Sequence, residues 1–200
     1  MSWFNRISPK KQPESISGRG ISPRSGHEEG GAKPLSREQV LAIHGQVVDR
    51  VLQITGAGLG IEDNFSLRFD VMIYFISALL RHLHAAGRSH AATAQLLWDI
   101  TFEGLEESLR DRGVTDIRMA SRMRTLLQDA TGRRNAYLAA WEQTERPEAI
   151  RVVMARNIFN GADATDPRID ALQAQLPAFV LAVLNPYVLL ATTVENGAII

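Results

Sequence analysis

The 200-residue chain contains no cysteine. That excludes disulfide staples, thiol catalysis, thiolate zinc and iron–sulfur clusters. It also lacks net charge, because 22 Lys and Arg balance 22 Asp and Glu. A neutral balance argues against nucleic-acid binding over the whole surface, and no DNA partner is expected. No stretch alternates apolar and polar residues as a half-buried strand does, and no internal repeat is present. The GKS and GKT ends of a phosphate-binding loop, HExxH, ExxH and GxSxG are all missing. With them go the signatures of nucleotide loops, zincins, di-iron bundles and serine hydrolases. No catalytic residue, cofactor or metal site is expected, and the chain reads as a binding protein rather than an enzyme.

What is present is a core. Hydrophobic residues make up 45%, enough for one domain with a tail at this length. Residues 1–34 hold six basic and three acidic residues among Ser, Gly and Pro, with almost nothing apolar after Ile7. Such a segment cannot offset its ordering entropy by burial and is read as disordered. It lacks the apolar stretch of a secretory signal, and no amphipathic repeat supports a mitochondrial presequence.

From residue 35 the period becomes helical. Ser36 with Gln39 is a capping-box pattern, and Val40, Ile43, Val47, Val51 and Ile54 recur on one face. Gly56, Gly58 and Gly60 end that helix; following a helix rather than a strand, they read as a connector. A second helix, about Ser66 to Ala86, is apolar on most sides and reads as the buried centre. A third, about Ser89 to Arg112, turns Ala94, Trp98, Phe102, Leu105 and Leu109 inward, with Gly113 as its C-cap. A fourth starts at Asp116 with Met119, Met123, Leu126, Leu127 and Ala130 inward, and is expected to break at Gly132. A short fifth carries Tyr137, Leu138 and Trp141; a sixth runs from Pro147 to about Asn160-Gly161; a seventh runs from Asp166-Pro167 to about Leu184. The expectation is an all-α single globular bundle of six or seven helices over residues 35–190, after a disordered tail over 1–34 and before a C-terminal tail over 191–200.

Ala171 to Val194 is 24 residues without a charge, long enough to span a bilayer. Pro177, Asn185-Pro186, Gln173, Gln175, Thr192 and Thr193 interrupt it, and a docked last helix is the preferred reading.

Three groups of polar residues invite chemistry. His82 and His84 stand at i and i+2 and point to different sides of a helix, and His90 lies beyond Gly87, so they are expected at the surface or at helix ends. Asp99, Glu103 and Glu106 share a face; a solvated surface is the preferred reading, and docking of a basic partner segment the sharper one. Residues 110–134 contain seven arginines against three aspartates. Arg110, Arg118, Arg122, Arg124 and Arg133 are the candidates for phosphate, anionic lipid or an acidic partner, against a plain salt-bridged surface.

Several ordered pieces resemble the ubiquinol–cytochrome c chaperone family. They are Leu67-Arg-Phe-Asp70 before the apolar helix, Ala94-Gln-Leu-Leu-Trp-Asp99, Leu105-Glu-Glu-Ser-Leu-Arg110, Gly113-Val-Thr-Asp116, Gly132-Arg133 with Ala136-Tyr137, and Ala155-Arg-Asn157 before Asn160-Gly161. The likeness covers roughly residues 40–161. The chain departs from the pattern at Gly104, where the family has an acid, at Arg118 to Ser121, and at Ala130-Thr131. The resemblance implies a non-enzymatic assembly chaperone that binds newly made cytochrome b and promotes assembly of ubiquinol–cytochrome c reductase, complex III. It implies cytochrome b as client, and a small partner protein near the ribosome for mitochondrial members. A place peripheral to the inner membrane follows, cytoplasmic in a bacterium or in the mitochondrial matrix of a eukaryote. Met119, Met123 and the C-terminal apolar segment are expected to help line an apolar client groove. A ribosome- or RNA-associated factor using the arginine face is the alternative.

Overall fold

The structure is a computed structural model that describes residues 33–56 and 63–188, together with the backbone of 194–195 and 198–199. The expected tail over 1–34 falls outside the described residues apart from its last two positions; Gly58 and Gly60 and most of 191–200 also lie outside.

Among the described residues seven α-helices follow one another: α1 Arg37–Gly56, α2 Phe65–Ala85, α3 Ala91–Asp111, α4 Asp116–Trp141, α5 Arg146–Asn157, α6 Pro167–Gln173 and α7 Leu176–Leu184. The fold is all-α, as the sequence predicts. The backbone of Val194–Glu195 pairs antiparallel with Ala198–Ile199, a two-residue addition that leaves the class unchanged.

Local chemistry sets the helix ends. Ser36 and Gln39 form the reciprocal capping box: the Ser36 N–H donates to Gln39 Oε1 at 2.9 Å, and the Gln39 N–H donates to Ser36 Oγ at 3.3 Å. Asn64 caps α2 by accepting the Leu67 N–H at 3.0 Å. At the end of α3, Gly113 (φ 80) takes the left-handed conformation. Its N–H reaches the Arg110 carbonyl at 2.9 Å and the Val114 N–H reaches Leu109 at 3.0 Å, a Schellman closure.

The core is built around α2. Nothing charged interrupts Val71 to Leu80, and nearly every side chain there is buried. It packs against α1, α3, α4 and α7. The apolar stripes read from the sequence on α1 and α3 are buried as expected. Tyr74 sits among Tyr137, Trp141 and Phe75, with ring centroids at 5.2, 6.2 and 5.4 Å, and Phe75 meets Phe179 edge-on at 4.8 Å. Each such buried aromatic or aliphatic side chain contributes about 1.5–3 kcal/mol of transfer free energy.

Three expectations are corrected. Gly132 does not break a helix, because α4 continues to Trp141. Ala130 and Tyr137 are buried on either side of it, and that burial outweighs the ~1 kcal/mol that glycine costs a helix interior. The predicted seventh helix is two. Pro177 has no N–H for the Gln173 carbonyl and its ring crowds it, so the chain turns at Ala174–Gln175 and restarts as α7. Leu126 and Leu127 are only half-buried. His90 stands at the start of α3 and His82 and His84 in the last turn of α2, the helix-end placement expected, with His90 buried and His82 half-buried.

The apolar C-terminal stretch docks. Leu176, Phe179, Val180, Val183 and Leu184 of α7 face the core. Among the described residues no helix is long and apolar enough to cross a membrane.

Candidate functional site

The polar residues singled out from the sequence separate into three sets. The acidic row on α3 is spread along the helix. Asp99 accepts a hydrogen bond from Gln95 Nε2 at 2.9 Å, and burial, reinforced by the nearby Glu103 charge, moves its pKa upward. Glu103 is held by Arg37 of α1, and Glu106 pairs with Arg110 at 2.9 Å. Among the described residues no three His, Asp or Glu converge as a metal-holding group. His82 and His84 each donate Nδ1–H to the carbonyl four residues back, at 2.8 and 2.7 Å.

The arginines divide in turn. Arg118, Arg122 and Arg124 are exposed on α4, and no ion pair or ring contact is described for them. Arg133 instead turns toward α2. Its Nε lies 2.7 Å from Asp70 Oδ1, and its guanidinium sits over the Phe69 ring at 5.3 Å. Asp70 is nearly buried; desolvation pushes its pKa up to about 6 even with the Arg133 charge pulling it down. Met119 and Met123 are buried in the α4 interface and do not line an open groove, contrary to the expectation.

Open apolar hollows lie instead around the first turn of α2. Phe65 and Phe69 stand one turn apart with stacked rings, 6.5 Å between centroids. On one side they border a hollow of about 220 Å³ between α1, α2 and α3, walled by Val48, Leu52, Met72 and Leu105. Gly104 faces it; a Cβ there would sit 3.4 Å from the His44 ring, so the missing side chain keeps the hollow open. On the other side the same two rings border a hollow of about 330 Å³ against the end of α3 and the middle of α4, where Leu109, Val114 and Leu126 supply apolar wall. Arg112, Arg122, Arg133 and Asp129 rim this second hollow; Arg133 is held by Asp70 and lies 3.9 Å from Asp129, so the cationic excess of the rim comes from Arg112 and Arg122. Arg112 lies 4.9 Å from the Phe65 ring centroid. An apolar trough with cations on one rim suits an amphipathic segment whose polar edge is acidic. Sequence reasoning found Arg122 and Arg133 but missed Phe65 and Arg112. The i, i+4 aromatic pair directly after the Asn64 cap was the available signal.

The ubiquinol-cytochrome C chaperone family model matches residues 57–185, well over half of the chain. The chain belongs to the ubiquinol-cytochrome C chaperone family. The match begins later and ends later than the likeness read from the sequence, taking in α6 and α7 and leaving α1 out. No curated protein and no solved structure matches the chain. Membership makes this an assembly chaperone for complex III. Both hollows lie against the start of α2, inside the family-matched region apart from the α1 wall.

Proposed function

We propose that this chaperone performs no bond chemistry and holds newly made cytochrome b through the trough at Phe65 and Phe69 until partner subunits join. Family membership supports the assembly role. The observation that carries the client site is the pair of apolar hollows sharing the stacked Phe65–Phe69 wall, with Arg112, Arg122 and Arg133 on one rim. A membrane-protein client exposes apolar helix faces ending in charged loop residues, and a trough of this make-up offers both a greasy floor and a charged edge.

Loss of the gene is expected to lower complex III while cytochrome b message persists. Capture of cytochrome b from detergent-solubilised membranes is expected with the wild-type protein and to fall at least tenfold with Phe65→Ser. Phe65 is the half-buried member of the pair, and its loss costs the core less than that of Phe69. Normal complex III in the deletion strain would refute the function; undiminished capture by Phe65→Ser would refute the site.

The exposed and unpaired Arg118, Arg122 and Arg124 favour a second contact, with ribosomal RNA near the emerging client. It predicts salt-dependent co-sedimentation with ribosomes that weakens when all three become Ala; unchanged sedimentation rejects it.

A further inference from the structure

On the other side of α2 from the trough's hollows is a cavity of about 570 Å³, walled by α2, the end of α4, α5, α6 and α7. Its charged lining is cationic in excess: Arg81, Arg146 and Arg151 against Asp170 alone. Asp170 is taken by Arg151, whose Nε lies 2.7 Å from Oδ1. Arg81 is stacked at 6.0 Å from the Trp141 centroid. No carboxylate pairs with Arg81 or Arg146 among the described ion pairs, although Glu142 lies near enough to act on Arg81 through space. Burial, and then the like charge of Arg146, lower the pKa of Arg81, as expected of two cations sharing one site without enough counter-charge. His82 also borders the cavity and is held neutral by burial.

The backbone adds to this imbalance. The first residues of α5, Arg146 and Pro147, and of α7, Leu176 and Pro177, both border the cavity. Neither helix has a side-chain cap, so the positive ends of both dipoles lie at the cavity, although Pro147 and Pro177 themselves carry no N–H to donate. Tyr74, which also lines the cavity, is wholly buried, and its hydroxyl has no hydrogen-bond partner. A buried hydroxyl without a partner is costly and points to an occupant. Apart from Gln173 the remaining walls are apolar, Trp141, Ile150, Leu176 and Val180 among them.

We propose that this cavity is an anion site for a phosphate group carried on an apolar body, with Arg81 and Arg146 as its principal ligands, the Tyr74 hydroxyl as a further donor and the positive dipole ends of α5 and α7 beside it. Phosphate fits better than a single carboxylate, because its oxygens accept from several directions at once and the side-chain donors here come from two helices, α2 and α5. The volume exceeds what a bare phosphate fills, and the apolar walls take the attached body. An anionic lipid headgroup and a soluble phosphate compound share this chemistry. The site is separate from the proposed client trough and does not depend on it.

The test uses the full chain. Inorganic phosphate is titrated against thermal unfolding at matched ionic strength in chloride, and vesicles of phosphatidylglycerol or of phosphatidylcholine alone are tested by flotation. The expected result is a saturable upward shift of Tm with phosphate, or flotation with phosphatidylglycerol vesicles only. Either response should weaken about tenfold for each of Arg81→Gln and Arg146→Gln and persist in the Arg118, Arg122, Arg124→Gln triple variant. Response to phosphate assigns a soluble source; flotation without it assigns a lipid. Arg146→Gln alone carries the test should Arg81→Gln fail to fold, since Arg146 stands at a helix start. No response to either probe, a response retained without the arginines, or one lost equally in the triple variant overturns the site. Cytochrome b capture and complex III levels are read separately, so failure here leaves the chaperone reading standing.

Discussion

Replacing Arg133 with Met removes its ion pair with Asp70 and a longer, exposed one with Asp129 at 3.9 Å, which contributes little. The pair has side-chain exposures of 24% for Arg133 and 8% for Asp70. Removing the cation strands a nearly buried carboxylate and also takes the guanidinium off the Phe69 ring. Breaking a fully buried pair costs about 3–5 kcal/mol; partial exposure of the arginine puts the loss nearer 3 at pH 8, including the ring contact. At about 2–4 °C per kcal/mol for a chain of this size, Tm should fall by roughly 6–12 °C. The penalty depends on pH in a definite direction. Asp70 has a folded pKa raised to about 6, against about 3.9 unfolded. Its contribution is fully favourable below the unfolded value and is lost as pH rises through the folded one. In Arg133→Met the folded pKa rises further, because the charge that pulled it down is gone. At pH 5 the group is mostly protonated in both proteins and the difference shrinks to about 1 kcal/mol, the ring contact. The difference widens between pH 6 and 8. His44 and His82, whose pKa values burial lowers, are common to both proteins, so their contributions cancel in the difference. Adding Asp70→Asn should recover most of the loss at pH 8, since no buried charge remains. Urea denaturation at pH 5, 6, 7 and 8 reads all of this. A penalty below about 0.5 kcal/mol at pH 8, or one constant across the range, refutes the reasoning, since it would match an exposed pair.

Gly132→Ala should raise stability by about 0.5–1 kcal/mol, because a Cβ there meets nothing within 4 Å and glycine costs a helix interior that much; thermal unfolding checks it, and a lower Tm contradicts a continuous α4. Gly104→Leu fills the smaller hollow while gaining helix propensity, so Tm should hold within a few degrees and capture of cytochrome b should drop several-fold; a fall in Tm with capture intact would show that the hollow is packing alone. Asn64→Ala removes the cap on Leu67 and should cost about 1 kcal/mol; no loss in urea denaturation would mean that the cap is idle.

By itself the sequence determined the class, the central helix and the family. Apolar residues at helical spacing with no alternating run, bounded by Ser36, Gly113 and Asp166-Pro167, commit a chain to helices. A helix apolar on most sides, as from Val71 to Leu80, has nowhere stable but the middle of a bundle. These are local properties, legible residue by residue. Tertiary structure alone decided that α4 runs through Gly132, because packing on α2 outweighs a local propensity of ~1 kcal/mol. It decided that the arginines of one charged segment part company, Arg133 turning in to Asp70 while Arg118, Arg122 and Arg124 face water, since one or two helical positions change the neighbour entirely. And it alone formed, among the described residues, the two spaces proposed as binding sites: the trough at Phe65 and Phe69, and the cationic cavity at Arg81 and Arg146. Both are spaces between helices distant in sequence, and a space left unfilled has no residue of its own to announce it.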